Sequence, residues 1–390
     1  MLYSILHFTE LFFLLLVGMQ VIYLFVFSIA SVFSFRPKLK QGASDKKNKI
    51  IVFIPGYKED RIIIDTASQA LNQSYPKEFY EVVVLADSFS EETLEGLRKL
   101  DVTTLEVSFE NSTKAKSLNK GLQTYGASKP DMAVILDSDN VMAHDFLEKV
   151  NVGYNSGYKV IQGHRTAKNQ QTDFALLDAI NEEIGNSIFR KGHRVLGVSS
   201  ALIGSAMTFD FQYFKSIMDD IEDVAGEDKL VELKILKEKQ LIEYFEDALV
   251  YDEKVSNAAN FSKQRTRWVG VQIYFFKNYF VDGLKELFLK GNVGYFDKVF
   301  QFFLIPKVLL IGLMGVLGVL SAFSFVSPIW LYMAIVYVFA LLFAIPRRFY
   351  NLKLLRAVFN IPKAIIFMIL GILRIRKSTA SKFEVTEKGT

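Results

Sequence analysis

The stretch "VILDSDN" (residues 134–140) places two aspartates directly after an apolar run. Val134–Leu136 has the composition of a buried strand, and Asp137 and Asp139 follow it with one serine between them. Paired carboxylates repel each other, so we expect a metal ion, an arginine or solvent nearby. An Asp-x-Asp arises readily by chance in a chain with 42 acidic residues. The surrounding sequence must therefore decide between a solvated turn and a site.

Apolar runs alternate with helix-forming segments throughout residues 50–140. Short apolar runs with helical crossovers predict a parallel α/β sheet. Ligands of such sheets bind at the carboxyl ends of the strands, and here those ends carry polar residues. The predicted strands are Ile50–Ile54 before Pro55-Gly56-Tyr57, Val82–Leu85 before Ala86-Asp87, Thr103–Phe109, and Ala133–Leu136 before Asp137-Ser138-Asp139.

Two common nucleotide-binding motifs are missing from the sequence. No Gly-x-Gly-x-x-Gly follows the first strand, and no Gly-x-x-x-x-Gly-Lys-Ser/Thr occurs, which argues against a dinucleotide fold and a phosphate-loop NTPase. A bound nucleotide would then need a divalent metal to neutralise its phosphates. Asp137 and Asp139 carry the hard oxygen ligands that Mg²⁺ or Mn²⁺ prefers, with the solvated turn as the alternative.

Composition excludes several classes of function. The net charge of +4 gives no indication of a nucleic-acid partner. The chain has no cysteine, which removes disulfides, zinc–thiolate sites and thiol nucleophiles. The four histidines (His7, His144, His164 and His193) have no metal-ligand spacing.

Residues 11–35 form an uncharged apolar stretch that is long enough to cross a bilayer. Glu10 precedes the stretch and basic residues follow it between 36 and 49, which is the reverse of a signal peptide. By the positive-inside rule, residues 1–10 are extracytoplasmic and the chain after residue 36 is cytosolic. We therefore expect an uncleaved anchor in an inner or plasma membrane of the bacterial type.

Two further spans are predicted near the C-terminus, at residues 308–326 and 329–345. A Ser-Pro turn separates them, and Arg347 and Arg348 follow the second. By the positive-inside rule, these arginines place the end of the second of these spans on the cytosolic side.

The last apolar stretch, residues 352–375, is interrupted by charges and by Pro362. Its charge-free part, Ala364–Leu373, is too short to span, so we predict an interfacial or re-entrant helix, with a fourth span as the alternative. Residues 36–267 are assigned to the cytosolic domain, 268–307 to amphipathic interfacial helices, and 376–390 to a cytosolic tail.

Eight motifs in a fixed order resemble those of the membrane-bound family 2 glycosyltransferases, which include cellulose, chitin, hyaluronan and poly-N-acetylglucosamine synthases. The resemblance covers roughly residues 48–270; it departs at Ala86, where a second Asp is common, and at Ser205-Ala206, where a glycine is usual. The motifs are "VFIPGYKED" (52–60), "VVVLADSFSEET" (82–93), "STKAKSLNKGL" (112–122), "DSD" (137–139), "VIQGHRTAKN" (160–169), "SALIGSAMTFD" (200–210), "GED" (226–228) and "QRTRW" (264–268).

The resemblance implies an α/β domain of the GT-A type, a Rossmann-like mixed sheet, that binds a UDP-sugar and Mg²⁺ or Mn²⁺. For Lys114, a solvated lysine at a helix start is the alternative. By resemblance, Pro55, Tyr57, Glu59 and Asp87 hold the uridine, Lys114 contacts the uracil or the diphosphate, Asp137 lies beside the ribose and the metal, and Asp139 is the main metal ligand.

A carboxylate is the expected base that takes the proton from the acceptor hydroxyl. Asp228 matches the family's base, with Glu227 beside it in the catalytic pair. Both precede an amphipathic helical stretch, where an N-terminus favours an anion, and a capping acid is the alternative. A single displacement with one base inverts the anomeric carbon, so an α-linked donor gives a β-linkage.

By resemblance, Gln264, Arg267 and Trp268 line the channel for the acceptor. The arginine can meet the diphosphate, and the tryptophan offers a sugar ring a flat apolar face. A structural arginine–tryptophan stack on an interfacial helix is the alternative.

The resemblance implies a processive enzyme that extends a β-linked glycan and exports it through its own helices. Three spans are few for a polymer channel, so this requires a homo-oligomer or a contribution from interfacial helices. The alternative is a non-processive enzyme that places one sugar on a membrane lipid, as ceramide glucosyltransferases do. The sequence does not reveal which sugar is transferred.

Overall fold

The computed structural model describes residues 2–127, 129–254 and 258–373. Its centre is one eight-stranded mixed sheet. The strands are β1 (Ile50–Tyr57), β2 (Tyr80–Asp87), β3 (Thr103–Val107), β4 (Met132–Ile135), β5 (Val141–Met142), β6 (Val160–Ala167), β7 (Met207–Asp210) and β8 (Glu243–Asp252).

The strand order β3-β2-β1-β4-β7-β6-β8-β5 brings five strand ends to one edge. Strands β1 to β4 are parallel, as the sequence predicts. Strand β7 runs antiparallel to both β4 and β6, and β8 runs parallel to β6. The carboxyl ends of β1, β2, β4, β6 and β8 therefore meet at one edge of the sheet.

Strand β1 is longer than predicted, because it continues through Pro55 to Tyr57 beside Asp87 of β2. Its pairing with β4 ends at Phe53, so Pro55 lies beyond the last pair on that side. A proline is tolerated there because the ladder no longer requires its missing N–H.

Helices cover both faces of the sheet, and apolar side chains fill both interfaces. A π-helical segment, Ser187–Gly192, joins the sixth helix to the seventh. The helices are α1 (Leu2–Val32), α2 (Ile63–Ala70), α3 (Glu91–Arg98), α4 (Lys114–Tyr125), α5 (Phe146–Asn155), α6 (Asp173–Asn186), α7 (His193–Val195), α8 (Phe211–Met218), α9 (Glu227–Lys237), α10 (Ala258–Lys290), α11 (Val293–Phe303), α12 (Lys307–Ala322), α13 (Ile329–Ala344), α14 (Leu352–Phe359) and α15 (Ile361–Leu373).

Helix α1 contains a 26-residue segment, His7–Val32, that is long and apolar enough to cross a membrane. Helices α11 and α12 are separated by a bend of 65°. They are long and apolar enough to cross a membrane only if the two helices together count as one broken span. Helices α12 and α13 have 16 residues each, which rise about 24 Å, less than the roughly 30 Å of hydrocarbon. By length and composition, the described helices thus support fewer spans than the three predicted.

The boundary predicted at residues 267 and 268 falls inside a helix. Helix α10 runs unbroken for 33 residues, from Ala258 to Lys290, and α11 packs against it. The Gln264–Trp268 motif therefore lies near the start of the element predicted to be interfacial. The predicted tail, 376–390, lies outside the described residues.

Candidate active site

A cavity of about 540 Å³ lies at the edge where the five strand ends meet. It extends from the loop after β1 to the start of α10 and α12. Asp139 is the exception among the predicted site residues, since it does not line the cavity. The predicted residues that line it are Pro55, Tyr57, Glu59, Asp87, Lys114, Asp137, Glu227, Asp228, Gln264, Arg267 and Trp268.

Asp137 lies between two cations. Lys114 Nζ is 2.5 Å from Asp137 Oδ1, and Arg165 Nη1 is 3.5 Å from Oδ2. Lys114 also donates to the carbonyl of Gly204 at 2.6 Å and lies 3.9 Å from Glu227. Although burial opposes the charge, the carboxylates of Asp137 and Glu227 raise the pKa of Lys114. The lysine is therefore a buried cation of the site, and the alternative of a solvated residue is wrong.

Asp139 does not line the cavity, and its role as the main metal ligand stays a prediction. The turn after β4 is closed by the Asn140 N–H, which donates to the carbonyl of Asp137 at 3.1 Å. Asp139 is 4% exposed and accepts a hydrogen bond from Asn140 Nδ2 at 2.9 Å; the same amide donates to Asp252 at 2.8 Å. Within the described ranges, no three acidic or histidine side chains group as a metal site.

Asp228 and Glu227 open helix α9 directly after Gly226, whose φ of 84° suits glycine. Burial alone would raise the pKa of Asp228, but Lys229, Lys298 and Lys114 together lower it. For Glu227, burial and the neighbouring charge of Asp228 raise the pKa against the effect of Lys114. Asp228 is thus the more acidic member of the pair.

Asp87 is the last residue of β2, and the two oxygens of its carboxylate differ in their hydrogen bonding. Ser88 Oγ donates to Oδ1 at 2.9 Å, while the buried Oδ2 has no hydrogen-bond partner among the described residues. Since Asp87 lines the cavity, Oδ2 can accept an N–H from a ligand.

A second charged group, which is not among the residues predicted from the sequence, lies in the cavity at the ends of β6 and β8. Arg165 Nε donates to Glu182 at 2.6 Å, Lys254 pairs with Glu182, and Lys254 lies 2.6 Å from Asp252. Nearby carboxylates raise the pKa of Arg165 despite its burial. Arg165 and Asp252 lie near the carboxyl ends of apolar strands, as Asp87 and Asp137 do. The pattern of a polar residue at the end of an apolar run, which predicts Asp87 and Asp137, could therefore also have predicted Arg165 and Asp252.

Ser205 also escaped assignment, although it supports the turn that carries Asp137. Its hydroxyl accepts from the backbone N–H of Asp137 at 3.0 Å and donates to Asn140 Oδ1 at 2.5 Å. These hydrogen bonds give Ser205 a structural role, the positioning of the Asp137 turn.

On helix α10, an arginine–tryptophan stack does occur, but with a different arginine. Arg265 lies 4.5 Å from the ring centroid of Trp268 and pairs with Asp178 on α6. Arg267 lines the cavity, and Trp268 is 38% exposed. The stack therefore leaves Arg267 facing the space where a ligand would lie.

The family model described as "Glycosyltransferase like family 2" matches residues 48–271, more than half of the 390-residue chain. The matched segment contains the whole sheet and the Gln264–Trp268 motif. No curated protein matches the sequence.

Solved structures match this chain at low sequence identity. The mannosyltransferase PcManGT from Pyrobaculum calidifontis, in complex with GDP-Man and Mn²⁺, is 15% identical, with 84% of this chain and 95% of that chain covered and a TM-score of 0.53. TarS 1–349 from S. aureus, in complex with UDP, is 18% identical over 56% of this chain and 63% of that chain, with a TM-score of 0.37. Glucosyl-3-phosphoglycerate synthase from Mycobacterium tuberculosis, with Mn²⁺, UDP and phosphoglyceric acid, is 16% identical over 56% and 76%, also with a TM-score of 0.37. The first of these supports the GT-A fold expected from the sequence.

Proposed function

Because the chain belongs to glycosyltransferase family 2, we propose that it transfers a sugar from a nucleoside diphosphate donor to an acceptor at a membrane surface, with inversion. The observation that carries this proposal is the convergence of Asp87, Asp137, Lys114 and Asp228 on one cavity. These residues come from four separate elements, and each offers a group that one part of the reaction requires.

The nucleotide lies at the β1 and β2 ends of the cavity in this proposal. Asp87 Oδ2 accepts an N–H from the base, which fits uracil or guanine, and Lys114 contacts the diphosphate. The resemblance of the motifs favours UDP, while the structural relative PcManGT was solved with GDP-Man.

A divalent ion, Mg²⁺ or Mn²⁺, belongs to the proposal and would neutralise the departing diphosphate. Magnesium is commonly held by one or two carboxylates together with substrate phosphates and water, so a cluster of three protein ligands is not required. Asp137 fits this role because its carboxylate lines the cavity. Asp139, which the resemblance makes the main metal ligand, follows on the same turn and is buried beside Asn140.

Asp228 acts as the base toward the acceptor hydroxyl. Its lowered pKa keeps it ionised at neutral pH, so it is ready to accept a proton. Gly204 leaves space beside it, since a Cβ there would lie 3.7 Å from Asp228 Oδ2. With one base and direct displacement, the product has the opposite anomeric configuration to the donor.

We include a membrane in the proposal because large apolar side chains of α1, α12 and α13 are exposed on the surface of the protein. Leu24 of α1, Val308 of α12 and Met368 of α15 also line the cavity, which supports an acceptor that arrives from the bilayer. We therefore place the protein in an inner or plasma membrane with its catalytic domain in the cytosol, and favour a lipid acceptor.

Processive synthesis and export of a β-glycan is the second candidate. It is favoured by the Gln264, Arg267 and Trp268 side chains, which line the cavity as the processive motif requires. Formation of a homo-oligomer would supply the further helices that a polymer channel needs.

The test is release of nucleoside diphosphate from a panel of donors, with membranes that contain the protein as the acceptor source. The panel contains UDP-glucose, UDP-N-acetylglucosamine, UDP-glucuronate, UDP-galactose and GDP-mannose, each with and without Mg²⁺ or Mn²⁺. Labelled product that extracts into organic solvent supports the lipid acceptor, and a high-molecular-mass product supports the polymer. Absence of nucleotide release and of nucleotide binding for every donor would refute the proposed function.

A further inference from the structure

Two basic side chains, Arg190 and Lys307, line the cavity close to each other. Arg190 is 6% exposed; its Nη1 donates to Asn186 at 3.1 Å, and its buried Nε has no hydrogen-bond partner among the described residues. The Lys307 ammonium lies 5.4 Å from the ring centroid of Phe189. Neither side chain makes an ion pair within residues 2–127, 129–254 and 258–373.

The two cations share one space. A Cβ on Gly185 would lie 3.7 Å from Arg190 Nη1 and also 3.7 Å from Lys307 Nζ. Burial lowers the pKa of Arg190, as expected for a charge that its surroundings compensate incompletely. Two positive charges that lie close together in a partly desolvated site are unfavourable unless an anion binds between them.

Nearby carboxylates are already paired with other cations. Glu182 is bound by Arg165 and Lys254, and Asp178 is bound by Arg265. The charge of Arg190 and Lys307 is therefore left for a group that comes from outside the chain.

The surroundings of this space are apolar. Leu24, Phe189 and Ile305 line the cavity and belong to one hydrophobic cluster with α1, α12 and α13. Val308 and Met368 add apolar surface from α12 and α15. An anion that enters here lies next to hydrocarbon, as the head group of a lipid does.

We propose that Arg190 and Lys307 bind the phosphate group of a membrane lipid whose free hydroxyl is the acceptor, so that this hydroxyl attacks the sugar, its proton goes to Asp228 and the nucleoside diphosphate leaves. A phosphate brings negative charge and several acceptor oxygens, which match a guanidinium and an ammonium. A neutral acceptor would leave both cations unpaired, and an acidic glycan fits the apolar lining less well. The inference rests on the proposed function, because it names the acceptor of that same site.

The test uses the full-length protein in a neutral detergent and three probes: farnesyl phosphate, farnesol and inorganic phosphate. Thermal unfolding and equilibrium binding are measured for each, because a ligand that binds only the native state raises the melting temperature. We expect farnesyl phosphate to bind at least about tenfold more tightly than either farnesol or inorganic phosphate, since only it supplies both charge and hydrocarbon.

Position 185 offers a matched pair of variants. In Gly185→Asp, a carboxylate lies between the two cations, so we expect a higher melting temperature and at least about tenfold weaker binding of farnesyl phosphate. Gly185→Asn adds nearly the same bulk without the charge and should retain most of the binding. Arg190→Met should weaken binding of the probe without lowering the melting temperature, because it removes a charge that has no counter-ion.

Binding of UDP, or of GDP if the donor screen selects it, separates this inference from the proposed function. If the native protein does not bind a nucleotide, both the proposed function and the lipid-phosphate subsite are contradicted. Nucleotide binding with equal affinity for farnesyl phosphate and farnesol, or for farnesyl phosphate and inorganic phosphate, overturns only the lipid-phosphate subsite. The subsite is also overturned if Arg190→Met weakens nucleotide binding instead, or if an acidic oligosaccharide displaces farnesyl phosphate.

Discussion

Asp228 and Glu227 are adjacent carboxylates whose surroundings shift their pKa values in opposite directions. Asp228 is held ionised by Lys229, Lys298 and Lys114, while burial and the charge of Asp228 raise the pKa of Glu227. Interacting groups of this kind titrate as a pair, and the more acidic one carries the charge. The lower pKa of the pair thus belongs to Asp228, the carboxylate proposed as the base.

We predict that Asp228→Asn reduces transfer by about a hundredfold or more, because the acceptor hydroxyl loses its general base. Nucleotide binding should be little changed, because the nucleotide end of the cavity is formed by Asp87 and Lys114. The measurements are diphosphate release and nucleotide binding by calorimetry. Glu227→Gln is the comparison, and a larger loss of transfer in that variant than in Asp228→Asn would contradict the assignment.

Asp137 and Asp139 look equivalent in the sequence but have different surroundings in the structure. Asp137 lines the cavity between Lys114 and Arg165, whereas Asp139 is buried and accepts a hydrogen bond from Asn140. The difference arises in a tight turn whose geometry depends on Ser205, a residue distant in the chain.

At the level of elements, a buried ion pair joins helices α9 and α11. Lys298 Nζ lies 2.8 Å from Glu232, both side chains are buried, and Glu232 also accepts from the backbone N–H of Leu202 at 3.0 Å. This contact holds α9, and with it Asp228, against α11.

We predict that Lys298→Met lowers the free energy of unfolding by roughly 3–5 kcal/mol, because it leaves the Glu232 carboxylate buried and unpaired. The double variant Glu232→Gln with Lys298→Met should recover much of the loss, since no unpaired charge remains. Chemical denaturation in detergent measures both. Equal stability of the single and double variants would show that the unpaired carboxylate is not the cause.

An ion pair between Glu183 of helix α6 and Arg348, in the segment after α13, makes a contribution to stability that depends on pH. Burial alone would raise the pKa of Glu183, but His164, Thr166 and Arg348 lower it to about 2. Arg348 Nη2 lies 2.5 Å from the carboxylate. A carboxylate whose pKa is lower in the folded than in the unfolded state stabilises the fold above its unfolded pKa, about 4.3 for glutamate.

We therefore predict that this contribution, about 3 kcal/mol at pH 6, is lost progressively as the pH falls from about 5 to 2. Glu183→Gln should be less stable than the native chain at pH 6, and its melting temperature should fall less steeply below pH 5. Melting curves at pH 6, 5, 4 and 3 measure this. Parallel pH dependences of the two proteins would assign the acid sensitivity to other groups.

At the level of the whole molecule, the arrangement in the membrane can be tested directly because the chain has no cysteine. Single cysteines at Ser44, in the segment before β1, and at Ser324, between α12 and α13, are both at exposed positions. We predict that a membrane-impermeant maleimide added to intact cells labels Ser324→Cys but not Ser44→Cys.

Both positions should be labelled after the cells are permeabilised, which controls for reactivity. Labelling of neither position in intact cells would place the turn between α12 and α13 on the cytosolic side, with only α1 anchoring the protein. Labelling of Ser44→Cys would reverse the topology deduced from the basic residues after α1.

The sequence by itself predicted the parallel arrangement of β1 to β4, the edge of the sheet at which the cavity lies, and the residues from eight motifs that line this cavity. These features follow from local patterns, because an apolar run and the polar residue that ends it are neighbours in the chain. Tertiary structure decided that Asp137 rather than Asp139 faces the cavity, that Arg265 forms the stack, and that Arg190 and Lys307 share one space. Such features depend on which distant segments pack together, and packing sets both the direction and the burial of each side chain.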